Sequence, residues 1–138
     1  MIDLNTEFGQ RVARRLAKER IGWLTTVDAL GGPQPRPVWF LWQDDNLLIY
    51  SRPATRKLAH IAHNPRVALN LDGDGMGGDI VVLTGVAQID PAAPPADQVP
   101  AYVEKYADGF ARIGMTAQQF AGVYSVAIRV AVNGLRGH

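Results

Sequence analysis

The chain has 138 residues, of which 47% are hydrophobic and 20% charged, and this composition is typical of one folded domain spanning residues 1–138. Its 14 basic and 13 acidic side chains give a net charge of +1, which argues against nucleic-acid and membrane-surface binding, because such proteins carry a basic excess. The absence of cysteine excludes disulfides, thiolate metal sites and a cysteine nucleophile. An acidic residue precedes any apolar run at the N-terminus and no segment is long enough for a membrane span, so we expect a cytoplasmic protein.

The first third of the chain predicts one helix followed by strands. Apolar residues recur every four positions from Phe8 to Leu16, which predicts an amphipathic helix over 5–19. β-branched and aromatic residues then predict three strands, at 23–27, 36–42 and 47–50. Pro37 cannot donate to a strand ladder, so we expect it at an edge, a strand start or a bulge, where neighbouring backbone groups are free for a ligand.

A short helix is predicted in the middle of the segment 51–66, which leads to a fourth strand at 67–71. Thr55 is a candidate N-cap, and Pro65 ends the helix because the residue before a proline avoids the α region. Its buried side is expected to consist of Leu58, Ile61 and Ala62.

The front of this helix carries the strongest chemical signal in the sequence. It gathers two hydroxyls and three cations: Ser51, Arg52, Thr55, Arg56 and Lys57. Cations at a helix N-terminus oppose the helix dipole by about 0.3–1 kcal/mol each, so an isolated helix gains nothing from them. Free backbone N–H groups and the dipole favour an anion at the same place. We interpret the segment as an anion site of the kind that phosphate groups occupy; the alternative is a capped helix with a solvated basic first turn.

The second half of the chain predicts two further strands and two helices. The strand 80–89 is nearly apolar on both faces, which suggests burial on both sides, one of them against a partner subunit. Asp97 is expected to cap a helix that ends near Gly109, and a shorter helix covers 116–122. The last strand, 124–132, alternates cleanly and leaves Arg129 opposite the core. Six antiparallel strands with a helix after the third predict a mainly β fold, a barrel or highly twisted sheet with helices at its ends.

No nucleophile, base and acid can be assembled from these residues, so no catalytic side chain is assigned. His60 and His63 lie three residues apart on the central helix but lack a third metal ligand, and we expect surface histidines. The acidic, glycine-rich loop 72–79 lacks the terminal glutamate of a calcium loop, so no metal site is predicted. Any redox activity must therefore come from a bound cofactor, and a flavin-like molecule would place its phosphate at the helix front and its ring along the second strand.

Five blocks of the sequence occur in a familiar order: Trp23-Leu24-Thr25-Thr26, Pro35-Arg36-Pro37-Val38-Trp39-Phe40, Ile49-Tyr50-Ser51, Thr55-Arg56-Lys57-Leu58 and His63-Asn64-Pro65-Arg66-Val67. Their order and spacing resemble the pyridoxamine 5′-phosphate oxidase-like superfamily. More narrowly, the chain is similar to the actinobacterial branch of small proteins that use the deazaflavin coenzyme F420. The resemblance extends from about Glu7 to Val132.

This resemblance implies a six-stranded split β-barrel that forms a homodimer with two equivalent cofactor sites at the subunit interface. It implies that the phosphate is held by the residues at the helix front, Ser51, Thr55, Arg56 and Lys57. The ring would lie along the strand residues Pro37, Val38, Trp39 and Phe40. The acidic tail of the deazaflavin would need further cations, for which the candidates are Arg52, Arg14, Arg15 and Arg129.

The resemblance also has departures that leave the acceptor open. Relatives often end with a proline-containing segment and a tryptophan that closes the site, whereas residues 131–138 contain neither. Pyridoxamine phosphate oxidation itself is not expected of this chain, because that activity goes with longer chains that carry extra residues for the substrate phosphate.

Three functions follow as hypotheses. The first is an F420-dependent oxidoreductase that passes a hydride from the reduced deazaflavin to a small organic acceptor of quinone, enone or tetrapyrrole type. The second is an FMN-dependent oxidoreductase of the same fold. The third is a non-catalytic binder of a flavin, a haem or a similar anion.

Overall fold

The computed structural model describes residues 2–138, which form one curled antiparallel sheet and four α-helices. The strands are β1 (Gly22–Val27), β2 (Pro33–Val38), β3 (Leu41–Gln43), β4 (Asn46–Ser51), β5 (Arg66–Asn70), β6 (Val81–Ile89) and β7 (Val126–Gly137). The helices are α1 (Glu7–Lys18), α2 (Arg56–His63), α3 (Pro100–Arg112) and α4 (Ala117–Val123), with a 3₁₀ turn at Ala96–Gln98. The strand order is β2-β1-β5-β6-β7-β4-β3, so this half-barrel confirms the predicted mainly β, split-barrel fold.

Two apolar clusters pack on the sheet and meet at β4. The larger cluster includes Val12 of α1 and Ile61 of α2, and the smaller one lies under α3 and α4. Successive side chains of β4 alternate between the two, since Ile49 belongs to the first cluster and Tyr50 to the second. Because β4 is buried on both faces, its C-terminal end is held firmly where α2 begins.

The prediction of six strands is wrong by one, because the expected strand 36–42 is interrupted at Trp39 and Phe40. Both backbone groups of Phe40 bind side chains of α3 in place of a neighbouring strand. Its N–H donates to the Tyr106 hydroxyl over 2.8 Å, and its carbonyl accepts from Lys105 Nζ, also over 2.8 Å. The chain therefore turns out of β2 and re-enters the sheet as β3.

The predicted helices are confirmed in position, with corrections at their ends. Thr6 caps α1 by accepting from the Gly9 N–H, and α2 spans the predicted interval. Asp97 does not cap α3; it lies in the 3₁₀ turn, and α3 begins at Pro100, whose missing N–H costs nothing at the first helical position. Ala62 is exposed on α2 and not buried as expected.

Within residues 2–138, one face of β6 is buried and the other is partly exposed. Val81, Leu83 and Ala87 are buried, whereas Val86 on the other face is 38% exposed and Ile89 at the strand end 43% exposed. The expected burial of both faces is therefore not achieved by this chain alone. The last strand continues beyond its predicted end to Gly137, so the C-terminal segment pairs with β6 in the sheet.

Candidate functional site

A cavity of about 340 Å³ lies where β2, β4 and the start of α2 face the pair α3–α4. Nine residues line it: Ile21, Pro37, Val38, Trp39, Tyr50, Lys57, Ile113, Phe120 and Tyr124. One lining side chain is charged, that of Lys57, and the others are apolar or aromatic. Its volume is at the lower end of the range of about 300–1,000 Å³ for small-molecule sites, so it suits one flat ring system.

The charged end of the cavity is Lys57, in the first turn of α2. The residue is only 9% exposed, yet it takes part in no ion pair among residues 2–138. Burial, and secondarily the nearby Arg36, lowers the pKa of its ammonium group. The Nε atom of Arg36 is itself buried without a hydrogen-bond partner. Two neighbouring cations without a salt-bridge partner within residues 2–138 make the surroundings of Lys57 strongly positive.

The backbone at the start of α2 adds to this positive environment. Thr55 occupies the N-cap position, but its side chain makes no capping bond. Its hydroxyl instead lies 3.1 Å from Ser51 Oγ, which donates to the Arg52 carbonyl over 2.8 Å. Leu58 N–H donates to the Thr55 carbonyl over 3.2 Å, so the N–H groups before it, those of Arg56 and Lys57, are the ones available to a ligand at the positive end of the helix dipole.

The structure brings most of the predicted site residues together. Pro37, Val38, Trp39 and Lys57 line the cavity. Ser51, Arg52, Thr55 and Arg56 precede or begin α2 next to Lys57 in the chain, with the Ser51 and Thr55 hydroxyls 3.1 Å apart and both arginines exposed, but none of the four lines the cavity. The Phe40 side chain, expected beside the ring, is fully buried in the core and does not line the cavity either.

Trp39 is fixed in the cavity wall by stacking on two aromatic rings. Its ring lies 4.6 Å from Tyr106 at an interplanar angle of 5°, and 5.3 Å from Phe120 at 15°. Next to Trp39 in the chain, the centre of the Phe40 ring lies 3.8 Å from Lys105 Nζ. Burial lowers the pKa of this lysine to about 8. The strand interruption therefore places an immobilised indole between the sheet and α3–α4.

Gly109 of α3 provides the space that the Trp39 ring occupies, and Gly109→Ala should disturb it. A Cβ atom at this position would lie 2.8 Å from Trp39 Cη2. We expect a loss of about 1–3 kcal/mol in the free energy of unfolding and a weaker ligand site, because the overpacked indole is displaced.

Gly122→Ala in α4 is the matched control, since nothing lies within 4 Å of its Cβ position. It should instead stabilise the protein by up to about 1 kcal/mol through helix propensity. Urea unfolding of both variants measures the two effects, and equal shifts would contradict this role of Gly109.

Of the four cations proposed to bind the acidic tail of the deazaflavin, two form ion pairs with carboxylates of this chain and a third is exposed on α1. Arg15 pairs with Asp79 and Glu19, and Arg129 pairs with Asp90 over 3.0 Å. Arg14 is exposed on α1. Arg52 does not line the cavity, but its guanidinium lies 5.1 Å from the ring centre of Tyr124, which does.

The surroundings of the two histidines on α2 can be described from the structure. Within residues 2–138 there is no group of three or more side chains that could hold a metal ion. His60 Nδ1 lies 2.9 Å from the buried Thr26 hydroxyl, and His63 is exposed. Nor does any helix in residues 2–138 have the length and apolar character that a membrane crossing requires.

Sequence reasoning missed several residues of the site. Arg36 lies directly before Pro37 in the strand and could have been noticed as a fourth cation. Ile113, Phe120 and Tyr124 carry no chemical signal of their own. They reach the cavity only because α3 and α4 fold back over the sheet.

The family model of pyridoxamine 5′-phosphate oxidase matches residues 8–136. No curated protein matches the chain. Among solved structures, an F420 reductase is similar at a TM-score of 0.66 with 21% identity, covering 89% of this chain and 94% of that one.

Two further structures are similar at comparable coverage. An FAD-binding protein from Mesorhizobium loti has a TM-score of 0.67 and 21% identity, covering 91% of this chain and 90% of its own. A heme storage protein from Vibrio cholerae has a TM-score of 0.62 and 15% identity, covering 93% of each chain. At these identities the likeness establishes the fold and leaves the ligand open.

Proposed function

The chain belongs to the pyridoxamine 5′-phosphate oxidase family, and we propose that within it the protein is an F420-dependent oxidoreductase that reduces a small organic acceptor. The observation that carries this proposal is the buried Lys57, which has no salt-bridge partner within residues 2–138 and lines a cavity whose other side chains are apolar or aromatic. Such a cation is costly unless an anion meets it. A flavin-type cofactor combines a phosphate, which matches the charge of Lys57, with a flat ring, which matches the apolar and aromatic wall.

The residues present fit the phosphate of such a cofactor. Lys57 and Arg36 would neutralise its charge, and the backbone N–H groups at the start of α2 would bind its oxygens. The hydroxyls of Ser51 and Thr55, 3.1 Å apart, and the exposed Arg56 are close enough in sequence and structure to complete this group.

The ring would lie along Pro37 and Val38, against the edge that Trp39 contributes. When bound, the reduced deazaflavin supplies a hydride for transfer to an acceptor. The chain's own part is to hold the ring in one orientation and keep water from it, which the fixed Trp39 and the apolar wall favour. No acidic or histidine side chain lines the cavity, so positioning and electrostatics are the protein's contribution.

We also propose that the protein is a homodimer whose cofactor sites lie at the subunit interface. The outer face of the sheet leaves Trp23 37% exposed and Val86 38% exposed, as expected for strands that a second subunit covers. The cavity is open beside Ile21 and Ile113, which are 37% and 44% exposed. A partner chain would complete the wall there.

The test is a titration of ligand-free protein with F420, FMN and haem at low and high salt. We expect the tightest binding for F420, weakened by salt because Arg52 and Arg56 are exposed cations, and a particle mass of twice 15.0 kDa by light scattering. Preference for FMN would move the protein to the FMN-dependent alternative. Tight haem or flavin binding without turnover of any acceptor would identify a non-catalytic binder.

A further inference from the structure

A second cavity, of about 320 Å³, lies between the end of α1, β3 and α3. It shares no lining residue with the cavity proposed for the cofactor. Three cations line it, those of Lys18, Arg20 and Lys105, and its apolar wall includes Leu41 and Trp42. This second cavity therefore offers both positive charge and apolar surface to one small molecule.

Lys105 reaches the second cavity from α3 with its amino group fixed in place. Its Nζ donates to the Leu16 carbonyl over 3.1 Å and to the Phe40 carbonyl over 2.8 Å. An ammonium group has three N–H donors, and a neutral amine has two. Loss of one proton therefore leaves both hydrogen bonds intact and gives the nitrogen a free electron pair.

The surroundings of Lys105 favour the neutral amine more than those of an ordinary lysine do. Burial lowers its pKa from 10.5 to about 8. Glu19 acts in the opposite direction but is paired with Arg15 over 2.9 Å, and Glu104 of the cavity lining is exposed. About one quarter of such lysines are uncharged at pH 7.5, against about one in a thousand at the ordinary pKa. Lys105 is also partly exposed, so a small molecule in the second cavity can reach it.

We propose that Lys105 is an acylation site whose donor is a small acyl phosphate. The phosphate of such a donor is attracted by Lys18 and Arg20, and its short acyl chain contacts Leu41 and Trp42. The lysine nitrogen attacks the acyl carbon, and an N–C bond forms as the bond from this carbon to the phosphate oxygen breaks. Inorganic phosphate leaves, and the nitrogen loses one proton to water. The product is an amide, and no electrons are exchanged with another reagent.

Acylation changes the contacts that Lys105 makes. The amide has one N–H where the amine has two, so either the Leu16 or the Phe40 carbonyl loses its donor. The modification also removes a positive charge beside the last turn of α1, where the helix dipole favours a cation. It thus acts on the segment that carries Trp39, and it does not depend on which cofactor the first cavity binds.

The test exposes the folded protein to acetyl phosphate at neutral pH and measures acetylation at each lysine over time by mass spectrometry. Amines that have not reacted are then capped in denaturant with deuterated acetic anhydride, so each site is read as a ratio of two masses. Lys18 is the matched control within the same molecule, because it lines the same cavity and is exposed. We expect Lys105 to react at least about 10-fold faster than Lys18, because burial favours its uncharged form.

Arg20→Met tests the recognition of the phosphate. It should slow acetylation of Lys105 by acetyl phosphate about 3- to 10-fold, because one attracting cation is lost, and leave the reaction with neutral N-hydroxysuccinimidyl acetate unchanged. Arg66→Met removes a charge outside the second cavity and should leave both rates as in the wild type.

Two results would overturn the proposal. Lys18 reacting as fast as Lys105 would exclude a special reactivity of Lys105. Equal effects of Arg20→Met on the two reagents would exclude recognition of the acyl phosphate by this cavity. Neither result would affect the proposed function, which F420 binding tests.

Discussion

Lys57→Met is expected to weaken F420 binding by about 10- to 100-fold, because a charged hydrogen bond to phosphate is worth about 1.5–3 kcal/mol. The same substitution should raise the free energy of unfolding by roughly 0.5–2 kcal/mol, since it replaces a buried cation without a counter-ion by an apolar side chain of similar length. A loss of F420 affinity together with a gain in the free energy of unfolding would indicate that Lys57 serves binding at the expense of stability. Fluorescence titration and urea unfolding measure the two quantities.

The stability difference should also depend on pH in a defined direction. Burial holds the pKa of Lys57 below its ordinary 10.5, so the folded state binds fewer protons than the unfolded state as the pH approaches that value. The wild type therefore gains stability as the pH rises toward 10, a gain that Lys57→Met lacks. The gap between the two proteins should close over this interval.

Arg66→Met is the control for Lys57→Met. It removes the same charge from an exposed position at the start of β5. It should change both affinity and stability by less than about 0.5 kcal/mol. If the two variants bound F420 equally well, the anion site would have to be placed elsewhere.

Tyr106→Phe is expected to destabilise the protein by about 1–3 kcal/mol, the cost of leaving a buried hydrogen-bonding group without its partner. The Tyr106 hydroxyl accepts from the Phe40 N–H over 2.8 Å and lies 2.8 Å from the Arg20 carbonyl. Without the Tyr106 hydroxyl, the segment between β2 and β3 loses its hydrogen bonds to α3, and the position of Trp39 in that segment is less well fixed. Cofactor affinity should fall in parallel.

Tyr102→Phe provides a control of the same chemistry and the same burial. Tyr102 and Tyr106 are both fully buried, but the Tyr102 hydroxyl has no hydrogen-bond partner among residues 2–138. Its removal should be neutral or stabilising, because an unpaired buried hydroxyl contributes only a desolvation cost. Thermal unfolding of the two variants would contradict this account if both lost stability equally.

Both tyrosines should also limit stability in alkali. Burial raises the pKa of each phenol above its ordinary 10.0, so the folded state keeps protons that the unfolded state releases above that pH. Stability contributed by the two neutral phenols is therefore lost as the pH rises above about 10. In Tyr102→Phe this loss should be smaller than in the wild type.

Short-range patterns in the sequence were sufficient for most of the elements and for the charged end of the cavity. The four-residue spacing of Phe8, Val12 and Leu16 predicted α1, and Thr55 and Pro65 delimited α2. The cations at the start of α2 were recognised because their conflict with the helix dipole is a local property. That these residues hold a phosphate, and that the phosphate belongs to F420, stays a prediction.

Where an element depended on distant partners, the sequence by itself was not enough. The strand 36–42 has an unbroken β pattern, yet Lys105 and Tyr106, more than sixty positions away, bind the Phe40 backbone and divide it.

The sequence alone therefore determined which residues form the helices and most of the strands, and it determined the clustering of charge at one helix start, because capping, periodicity and dipole energies act within a few residues. Only the tertiary structure decided that residues of α3 and α4 place an apolar wall beside Lys57, that Arg36 lies near this lysine, and that Tyr124 reaches the cavity lining. Those features depend on tertiary contacts between residues that are far apart in sequence, and no local sequence pattern specifies such contacts.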